Sequence, residues 1–428
     1  MIAAVLFITF AVLLLIGTPI AICLGVSSVA AMLVQGIGHP LNTIMSSLPQ
    51  LFSASTSKFV LLAIPFFILA GNIMEKAQIS AKLIHLAETC VGHLKGGLAI
   101  VCVIVACFFA AISGSGPATV AALGLVLIPG MIRSGYSPAF SAALMGSAGA
   151  IGVIIPPSIT FVVYGSIADA SIGSLFKAGV LPGLIMGAAL IITALFVGRK
   201  YDLVSLPKAT GKERWQAFKD AFWGLLMPVI ILGGIYGGVF TPTEAAAVAV
   251  VYGLVVGVFI YRTVRLKELW AIIIDSACTT ATVMFITACA GLFAYVLTRA
   301  RLDVAISGAL ESITGGSTIV FFIIVNIILL IAGCFLDSTS ALYIFVPLFV
   351  PVAEALGINL IHLGVVMIVN LAIGLYTPPV GVNLYVACGV ANVNLKEISK
   401  AIVPLLIASI AVLLLITYVP GISTIFVS

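Results

Sequence analysis

Residues 149–159 read GAIGVIIPPSI, and residues 372–383 read AIGLYTPPVGVN. Each stretch places two successive prolines inside a long apolar run, and Pro156 recurs as Pro378, which is 222 residues later. Proline removes a backbone N–H donor and clashes with the preceding helical turn. Each stretch therefore predicts a helix that is interrupted in the middle of an apolar segment.

The 222-residue spacing relates other positions of the chain as well. It connects Gly152 to Gly374, Pro129 to Pro351, Pro182 to Pro404, and Ser115 to Asp337. Upstream the spacing grows by one residue, so that Thr18-Pro19 corresponds to Thr241-Pro242. A regular spacing over so many prolines indicates an internal duplication. We therefore interpret the chain as two homologous halves.

The composition is that of a membrane protein. Of the 428 residues, 62% are hydrophobic and 8% are charged, whereas a soluble domain has about 25% charged residues. Apolar runs of roughly 17–25 residues, the length of a bilayer-spanning helix, recur along the chain. The first run, residues 2–16, lacks a basic region and a small-residue cleavage site, which predicts a retained helix and not a signal peptide. The predicted fold class is an all-α polytopic membrane protein.

The spacing of Cys and His argues against a metal-binding protein, and the net charge gives no sign of a nucleic-acid-binding protein. The eight Cys show no C-x-x-C spacing and the four His are scattered, so the sequence contains no metal-binding motif. The net charge of +5 comes from residues in loops, and it predicts no nucleic-acid partner.

Each half is predicted to have the same order of elements. The first half (1–198) contains scaffold helices over 1–75, a hairpin over 96–132 and a broken helix over 138–170. A hydrophilic cytoplasmic linker follows over 199–220. The second half (221–428) contains scaffold helices over 221–298, a hairpin over 318–350 and a broken helix over 362–391. Each scaffold is expected to include a segment along the membrane interface, 41–57 and 266–282, ahead of a separate span.

The distribution of Lys and Arg predicts the topology. If each hairpin is re-entrant, so that it enters and leaves on one side, fifteen of the 19 basic residues fall on one side of the membrane. The other side holds Lys58, Lys177, Arg299 and Arg301. The richer side is expected to be cytoplasmic. Both termini are then periplasmic and the halves are inverted-topology repeats, as in secondary transporters.

The two hairpin tips carry the most informative chemistry. The first reads ISGSGPAT (residues 112–119) and the second reads GCFLDSTS (residues 333–340). Two tips and two interrupted helices that meet at mid-membrane would present four helix N-termini, which favour anions. They would also present free carbonyls that can bind Na⁺. The alternative is that the Gly and Ser residues only allow close helix packing.

Asp337 is the one acidic residue near the centre of a predicted span. Its carboxylate can coordinate a cation, carry a proton, or cap the second arm of the hairpin. No Lys or Arg lies in mid-span, so an anionic substrate would be held by helix dipoles and polar side chains, aided by a co-bound cation. The candidates for substrate contact are Ser115, Thr119, Ser338, Thr339 and Asn383.

Several motifs together resemble one transporter family. They are ISGSGPATVAALG, MIRSGY, IIPPSI, GGVFTPTEAAAVA and IGLYTPPVGVNLYV. Their combination, which runs through essentially the whole chain, is similar to the large membrane subunit of the tripartite ATP-independent periplasmic (TRAP) transporters. The GSGPATVAA tip and the HLGVVMIVN run resemble the C4-dicarboxylate branch more than the sialic-acid branch. The second tip, LDSTS, departs from the expected pattern.

The resemblance implies Na⁺-coupled import of an organic acid across the bacterial inner membrane, by an elevator-type movement of hairpins and broken helices against the scaffold. It also implies two protein partners: a small four-helix membrane subunit, expected as a separate chain, and a periplasmic substrate-binding protein. The sodium sites of the family fall where each tip meets its broken helix. By motif they correspond to Ser113, Ser115, Gly149, Gly152 and Pro156, and to Gly333, Asp337, Gly374 and Thr377.

Other functions remain as alternatives. The substrate of such a system could be sialic acid or another sugar acid, and the chain could instead be a self-sufficient Na⁺- or H⁺-coupled anion carrier. An intramembrane protease would need a base beside Ser115, or a second carboxylate beside Asp337 with which to share a proton. The sequence shows neither, so we predict that the protein is not an enzyme.

Overall fold

The structure is a computed structural model that describes residues 2–35 and 41–427. The described part is built of helices and contains no strand, which confirms the all-α prediction. Seven of its helices are long and apolar enough to cross a membrane, or up to nine if each of two bent helix pairs is counted as one span. Residues 1, 36–40 and 428, which belong to the two predicted halves, lie outside the described residues.

The described part of the first half forms ten α-helices. They are α1 (Ile2–Leu15), α2 (Ile20–Gln35), α3 (Leu41–Thr56), α4 (Ala63–Lys76), α5 (Ile79–Val91), α6 (Gly97–Ser113), α7 (Gly116–Arg133), α8 (Pro138–Ile154), α9 (Ile159–Ala168) and α10 (Ile172–Gly198). The break between α1 and α2 includes Thr18-Pro19, as predicted. The hairpin is the pair α6 and α7, and the broken helix is the pair α8 and α9, which is bent by 43°.

The helices of the second half repeat this plan. They are α11 (Gly211–Tyr236), α12 (Pro242–Leu254), α13 (Leu266–Arg299), α14 (Leu302–Thr314), α15 (Thr318–Gly333), α16 (Ser338–Ala355), α17 (Leu360–Gly374), α18 (Val382–Ala391), α19 (Leu395–Ala401), α20 (Val403–Tyr418) and α21 (Gly421–Thr424). Here the hairpin is α15 with α16, and the broken helix is α17 with α18. The bonds Pro156-Pro157 and Pro378-Pro379 are both cis. The orientation of the halves in the membrane stays a prediction.

The predicted division of residues 266–298 into an interfacial segment and a separate span was wrong. The structure has one helix there, α13, of 34 residues. In the first half α3 and α4 are separate: α3 ends at Thr56, and the backbone of Lys58 is extended ahead of a 3₁₀ turn over Phe59–Leu62. In the second half the chain stays helical from Leu266 to Arg299, without a corresponding extended residue.

The hydrophilic linker is also shorter than predicted. Helix α11 begins at Gly211, because Thr210 and Glu213 form a capping box at its start, so the non-helical linker ends at residue 210. Between α4 and the first hairpin the chain forms a further helix, α5. Its counterpart in the second half is α14.

The helices pack in two groups. Helices α2, α4, α12 and α13 contact one another, and the hairpins contact the broken helices. At the centre of the second group α8 is buried from Phe140 to Ile154, and α17 is buried from His362 to Gly374. Contacts of α4 with α6, and of α13 with α16, join the groups. The tips of both hairpins lie at this junction.

Candidate functional site

A cavity of about 290 Å³ lies where the two hairpin tips approach the two broken helices. Its walls include residues 113–118 of the first tip and residues 337–339 of the second tip. Both breaks contribute to the lining, and so do α4 and α13. The cavity therefore lies between the two groups of packed helices.

Four helices begin at this cavity. Their first residues, which line it, are Gly116 in α7, Ile159 in α9, Ser338 in α16 and Val382 in α18. The first turn of a helix has N–H groups without partners inside the helix, and its partial positive charge favours an anion. The fold thus concentrates four such helix ends around one small volume.

Three of these four ends lack a capping side chain. The N-cap residues Ser115, Ser158 and Gly381 make no side-chain hydrogen bond to the first turn that follows. At α7 and α9 the N–H groups are therefore left for an anion in the cavity.

The fourth end, that of α16, is capped by Asp337. Its Oδ2 accepts hydrogen bonds from the N–H of Thr339 at 3.0 Å and the N–H of Ser340 at 3.1 Å, and its Oδ1 accepts one from the Ser340 hydroxyl. Capping, one of the three roles considered for Asp337, is thus the role that its contacts show. Because the carboxylate also lines the cavity, this end presents negative charge where the other three present N–H groups.

The first broken helix leaves carbonyl groups without their helical donors. Pro156 and Pro157 have no N–H to donate to the carbonyls four residues earlier, on Gly152 and Val153. The Val153 carbonyl accepts hydrogen bonds from the hydroxyls of Ser158 at 2.6 Å and Thr160 at 3.2 Å. Side-chain hydroxyls thus replace backbone donors at this break.

In the second broken helix, backbone N–H groups donate to the corresponding carbonyls. The N–H of Thr377 donates to the Gly374 carbonyl at 3.0 Å, and the N–H of Asn383 donates to the Leu375 carbonyl at 2.9 Å. The Thr377 hydroxyl donates to the carbonyl of Ile373 at 2.7 Å. The two breaks are therefore equivalent in position but satisfy their carbonyls differently.

Glycines allow each tip to approach its broken helix closely. A Cβ added to Gly152 would lie 3.1 Å from Thr119 Oγ1, and one added to Gly149 would overlap the side chain of Val120. In the second half, a Cβ on Gly333 would lie 3.0 Å from the Cα of Gly374. Close packing, the alternative considered for the Gly-rich motifs, is thus one of their roles.

We expect Gly149→Ala to destabilise the protein, because the new methyl group has no room beside Val120. Overpacking of this kind costs about 1–3 kcal/mol. Val120→Ala in the same chain should recover part of the loss, since it removes the overlapping methyl groups but leaves the Gly116 carbonyl 3.2 Å from the new Cβ. The melting temperatures of the two single variants and the double variant in detergent test this coupling. Strictly additive losses would show that the two positions do not interact.

The structure brings together some of the predicted site residues and not others. Those that line the cavity are Ser113, Ser115, Asp337, Ser338 and Thr339. Those that do not line it are Gly149, Gly152, Pro156, Gly333, Gly374 and Thr377. Of these, the four glycines lie at the contacts between the tips and the broken helices. Whether these residues bind sodium stays a prediction.

Two predicted substrate contacts, Thr119 and Asn383, are absent from the cavity lining. The Thr119 hydroxyl donates to the Ser115 carbonyl at 2.7 Å, because Thr119 lies one turn beyond the tip. The Asn383 amide donates to the Gly146 carbonyl at 2.9 Å and so ties the second half to α8 of the first half. Both side chains are fully buried, which suits a structural role.

The sequence analysis missed the polar residues that the scaffold contributes. Asn72 and Glu75 of α4 and Thr279 of α13 line the cavity. The Asn72 amide also donates to the Ser276 hydroxyl at 2.8 Å, which joins α4 to α13. Asn72 and Glu75 are three residues apart and therefore share a helix face, a spacing that could have indicated them. In the described part of the chain, no group of three or more His, Cys, Asp or Glu side chains could hold a metal ion.

Comparison with known proteins gives consistent results. The family model described as "Tripartite ATP-independent periplasmic transporter, DctM component" matches residues 7–422. A "C4-dicarboxylate TRAP transporter large permease protein DctM" of Pseudomonas aeruginosa is 45% identical over 382 residues, which is 89% of each chain. An "Isethionate TRAP transporter permease protein DctMQ" of Oleidesulfovibrio alaskensis is 43% identical over 99% of this chain and 66% of that protein.

Two further matches extend the comparison. A "2,3-diketo-L-gulonate TRAP transporter large permease protein YiaN" of Escherichia coli is 39% identical over 85% of each chain. Among solved structures, the YdaH transporter of Alcanivorax borkumensis, whose crystal structure is described as having an unusual topology, aligns with a TM-score of 0.66. It covers 94% of this chain and 97% of that chain at 13% identity, so this likeness concerns the fold alone.

Proposed function

This chain belongs to the DctM family of tripartite ATP-independent periplasmic transporters as a large permease subunit, and from this premise we propose that it couples the import of a small organic acid to Na⁺. The cavity between the hairpin tips is the proposed transport site. The proposal has three parts: an anion site, a cation, and partner proteins.

The observation that carries the proposal is the division of charge around the cavity. Uncapped N-termini of α7 and α9 suit the carboxylate of a substrate, whereas the carboxylate of Asp337 at α16 suits a cation. The cavity-lining residues include no Lys, Arg or His. An organic anion would then be neutralised by helix ends and by co-bound Na⁺, and not by a salt bridge.

The size of the cavity supports a small substrate. Ligand pockets commonly span about 300–1,000 Å³, and this cavity of about 290 Å³ is at the lower limit. We therefore favour a C4-dicarboxylate, the substrate class named for the relative from Pseudomonas aeruginosa. A sugar acid is the second candidate, because the relative from Escherichia coli is named for 2,3-diketo-L-gulonate.

The movement and the partners complete the proposal. The hairpins and broken helices would move as one unit against the scaffold of α1–α4 and α11–α13, with the cavity at the boundary between them. A periplasmic binding protein would deliver the substrate, and a small four-helix subunit would join the scaffold. The complex would lie in the bacterial inner membrane with both termini of this chain in the periplasm.

Proteoliposomes test this function directly. We expect uptake of radiolabelled succinate or malate only when this chain, its small subunit and its binding protein are all present and Na⁺ is higher outside than inside. The control replaces the Na⁺ gradient by a K⁺ gradient of equal size. Uptake by this chain alone would instead support the self-sufficient carrier, and uptake without Na⁺ would contradict cation coupling.

A further inference from the structure

The scaffold places a carboxylate in the transport cavity. Glu75, in the last turn of α4, lines the cavity together with Asn72 of the same helix. The side chain of Glu75 is exposed. Glu75 belongs to the scaffold, whereas Asp337, the other acidic residue of the lining, belongs to a hairpin tip.

The side chains that line the cavity include acidic residues and no basic one. The acidic residues are Glu75 and Asp337. Lys76 follows Glu75 in the chain but does not line the cavity, because neighbouring residues of a helix point in different directions. Two negative charges therefore act on whatever enters, one from the tip and one from the scaffold.

A buried hydroxyl without a hydrogen-bond partner also lines this cavity. Ser338 lines the cavity and is 6% exposed, and its Oγ has no hydrogen-bond partner. A buried hydroxyl without a partner costs free energy unless a ligand or water satisfies it. Ser338 follows Asp337 directly, so the unsatisfied group lies beside the negative charge of the tip.

We propose that Glu75 is a specificity-determining residue of the permease, a charge filter on the scaffold that rejects an organic anion unless cations accompany it. The carboxylate of Glu75 makes the potential of the empty cavity more negative. A free anion is repelled by this potential, whereas an anion with bound cations is not. The inference deepens the proposed function and rests on it for its role in transport, although the electrostatic effect of Glu75 can be measured independently.

Charged thiol reagents measure the potential of the cavity without any transport. Thr339→Cys places a thiol in the lining, in a background in which the exposed or partly exposed Cys90, Cys107, Cys278 and Cys388 are replaced by serine. The ratio of reaction rates with a cationic and an anionic methanethiosulfonate reports the local potential. Within a cavity of this size, removal of one charge should lower that ratio by roughly tenfold at low ionic strength.

The test variant is Glu75→Gln, which keeps the size of the side chain and removes its charge. Glu75→Asp keeps the charge, so the ratio of the two reaction rates should stay close to that of the unmodified chain. Glu75→Ala is a second neutral variant in case glutamine prevents folding. The matched control is Glu311→Gln, because Glu311 is exposed on α14 and does not line the cavity. The proposal is supported if the rate ratio falls in Glu75→Gln and Glu75→Ala but not in Glu75→Asp or Glu311→Gln, and if this difference disappears in 1 M salt. The same ratio in Glu75→Gln, Glu75→Ala and Glu311→Gln overturns it.

Transport provides the second readout. In the complete proteoliposome system, Glu75→Gln should admit substrate without Na⁺, so that Na⁺-independent uptake rises several-fold over that of the unmodified chain. Unchanged Na⁺-independent uptake would overturn the filtering role. Failure of the unmodified chain to show Na⁺-driven uptake would instead refute the proposed function, while the thiol-reagent ratio would still decide whether Glu75 controls the potential of the cavity.

Discussion

Replacement of Gly374 by alanine should reduce substrate uptake by about ten- to a hundredfold. A Cβ on Gly374 would lie 2.5 Å from the Cα and 2.6 Å from the carbonyl carbon of Gly333. These are backbone atoms, which cannot rotate away as the end of a flexible side chain can. The tip of the second hairpin must therefore move away from the broken helix, and Asp337, four residues beyond Gly333, would move with it.

The same broken helix offers a matched control. Gly389 lies in α18, and a Cβ at this position would meet nothing within 4 Å. Gly389→Ala should therefore retain uptake, and its stability should stay equal or rise, because alanine favours a helix over glycine by about 1 kcal/mol. Initial uptake rates of both variants in proteoliposomes, normalised to the amount of folded protein, make the comparison. Equal rates in the two variants would show that close contact at the second tip is not needed for transport.

The second large effect is expected at Asp337, where two substitutions separate capping from charge. Asparagine is about as good an N-cap as aspartate, so Asp337→Asn should leave α16 capped while it removes the negative charge. Alanine removes both, and loss of a cap costs about 0.5–2 kcal/mol. We expect Asp337→Ala to lower the melting temperature and Asp337→Asn to leave it nearly unchanged.

Sodium dependence then reports the role of the charge. If Asp337 contributes to a cation site, Asp337→Asn should raise the Na⁺ concentration for half-maximal uptake by about tenfold or more, because a carboxylate close to a cation contributes several kcal/mol at a partly buried site. Uptake measured over a range of Na⁺ concentrations at constant ionic strength tests this. An unchanged Na⁺ dependence in Asp337→Asn, with an effect only in Asp337→Ala, would assign Asp337 to capping alone.

Ser115 and Asp337 are corresponding residues of the two tips, 222 positions apart in the sequence. The two residues occupy equivalent N-cap positions in the two tips, but only Asp337 satisfies the helix that follows it. The tips differ in length and in charge: two residues, 114–115, link α6 to α7, whereas four residues, 334–337, link α15 to α16. Two tips, one before an uncapped helix end and one before an acid-capped helix end, can offer an anion site and a cation site in the same cavity.

Some features that the sequence left open required the structure. The interpretation of residues 266–298 as two elements failed because the helix of the second half continues without the extended break that Lys58 makes between α3 and α4 in the first half. Thr119 and Asn383 were selected for their polarity and position near the tips, yet their side chains pack against backbone carbonyls. Glu75 was overlooked because it lies at the end of a scaffold span, far in sequence from both tips.

The amino-acid sequence by itself indicated the membrane class, the positions of both interrupted helices and the family. These features depend on composition and on the local backbone effects of proline and glycine, which act wherever the residues lie. Only the tertiary structure decided which side chains face the cavity. Successive residues of a helix point in different directions, so a shift of one position turns a side chain from the cavity to the core, and the packing of distant helices sets that rotation.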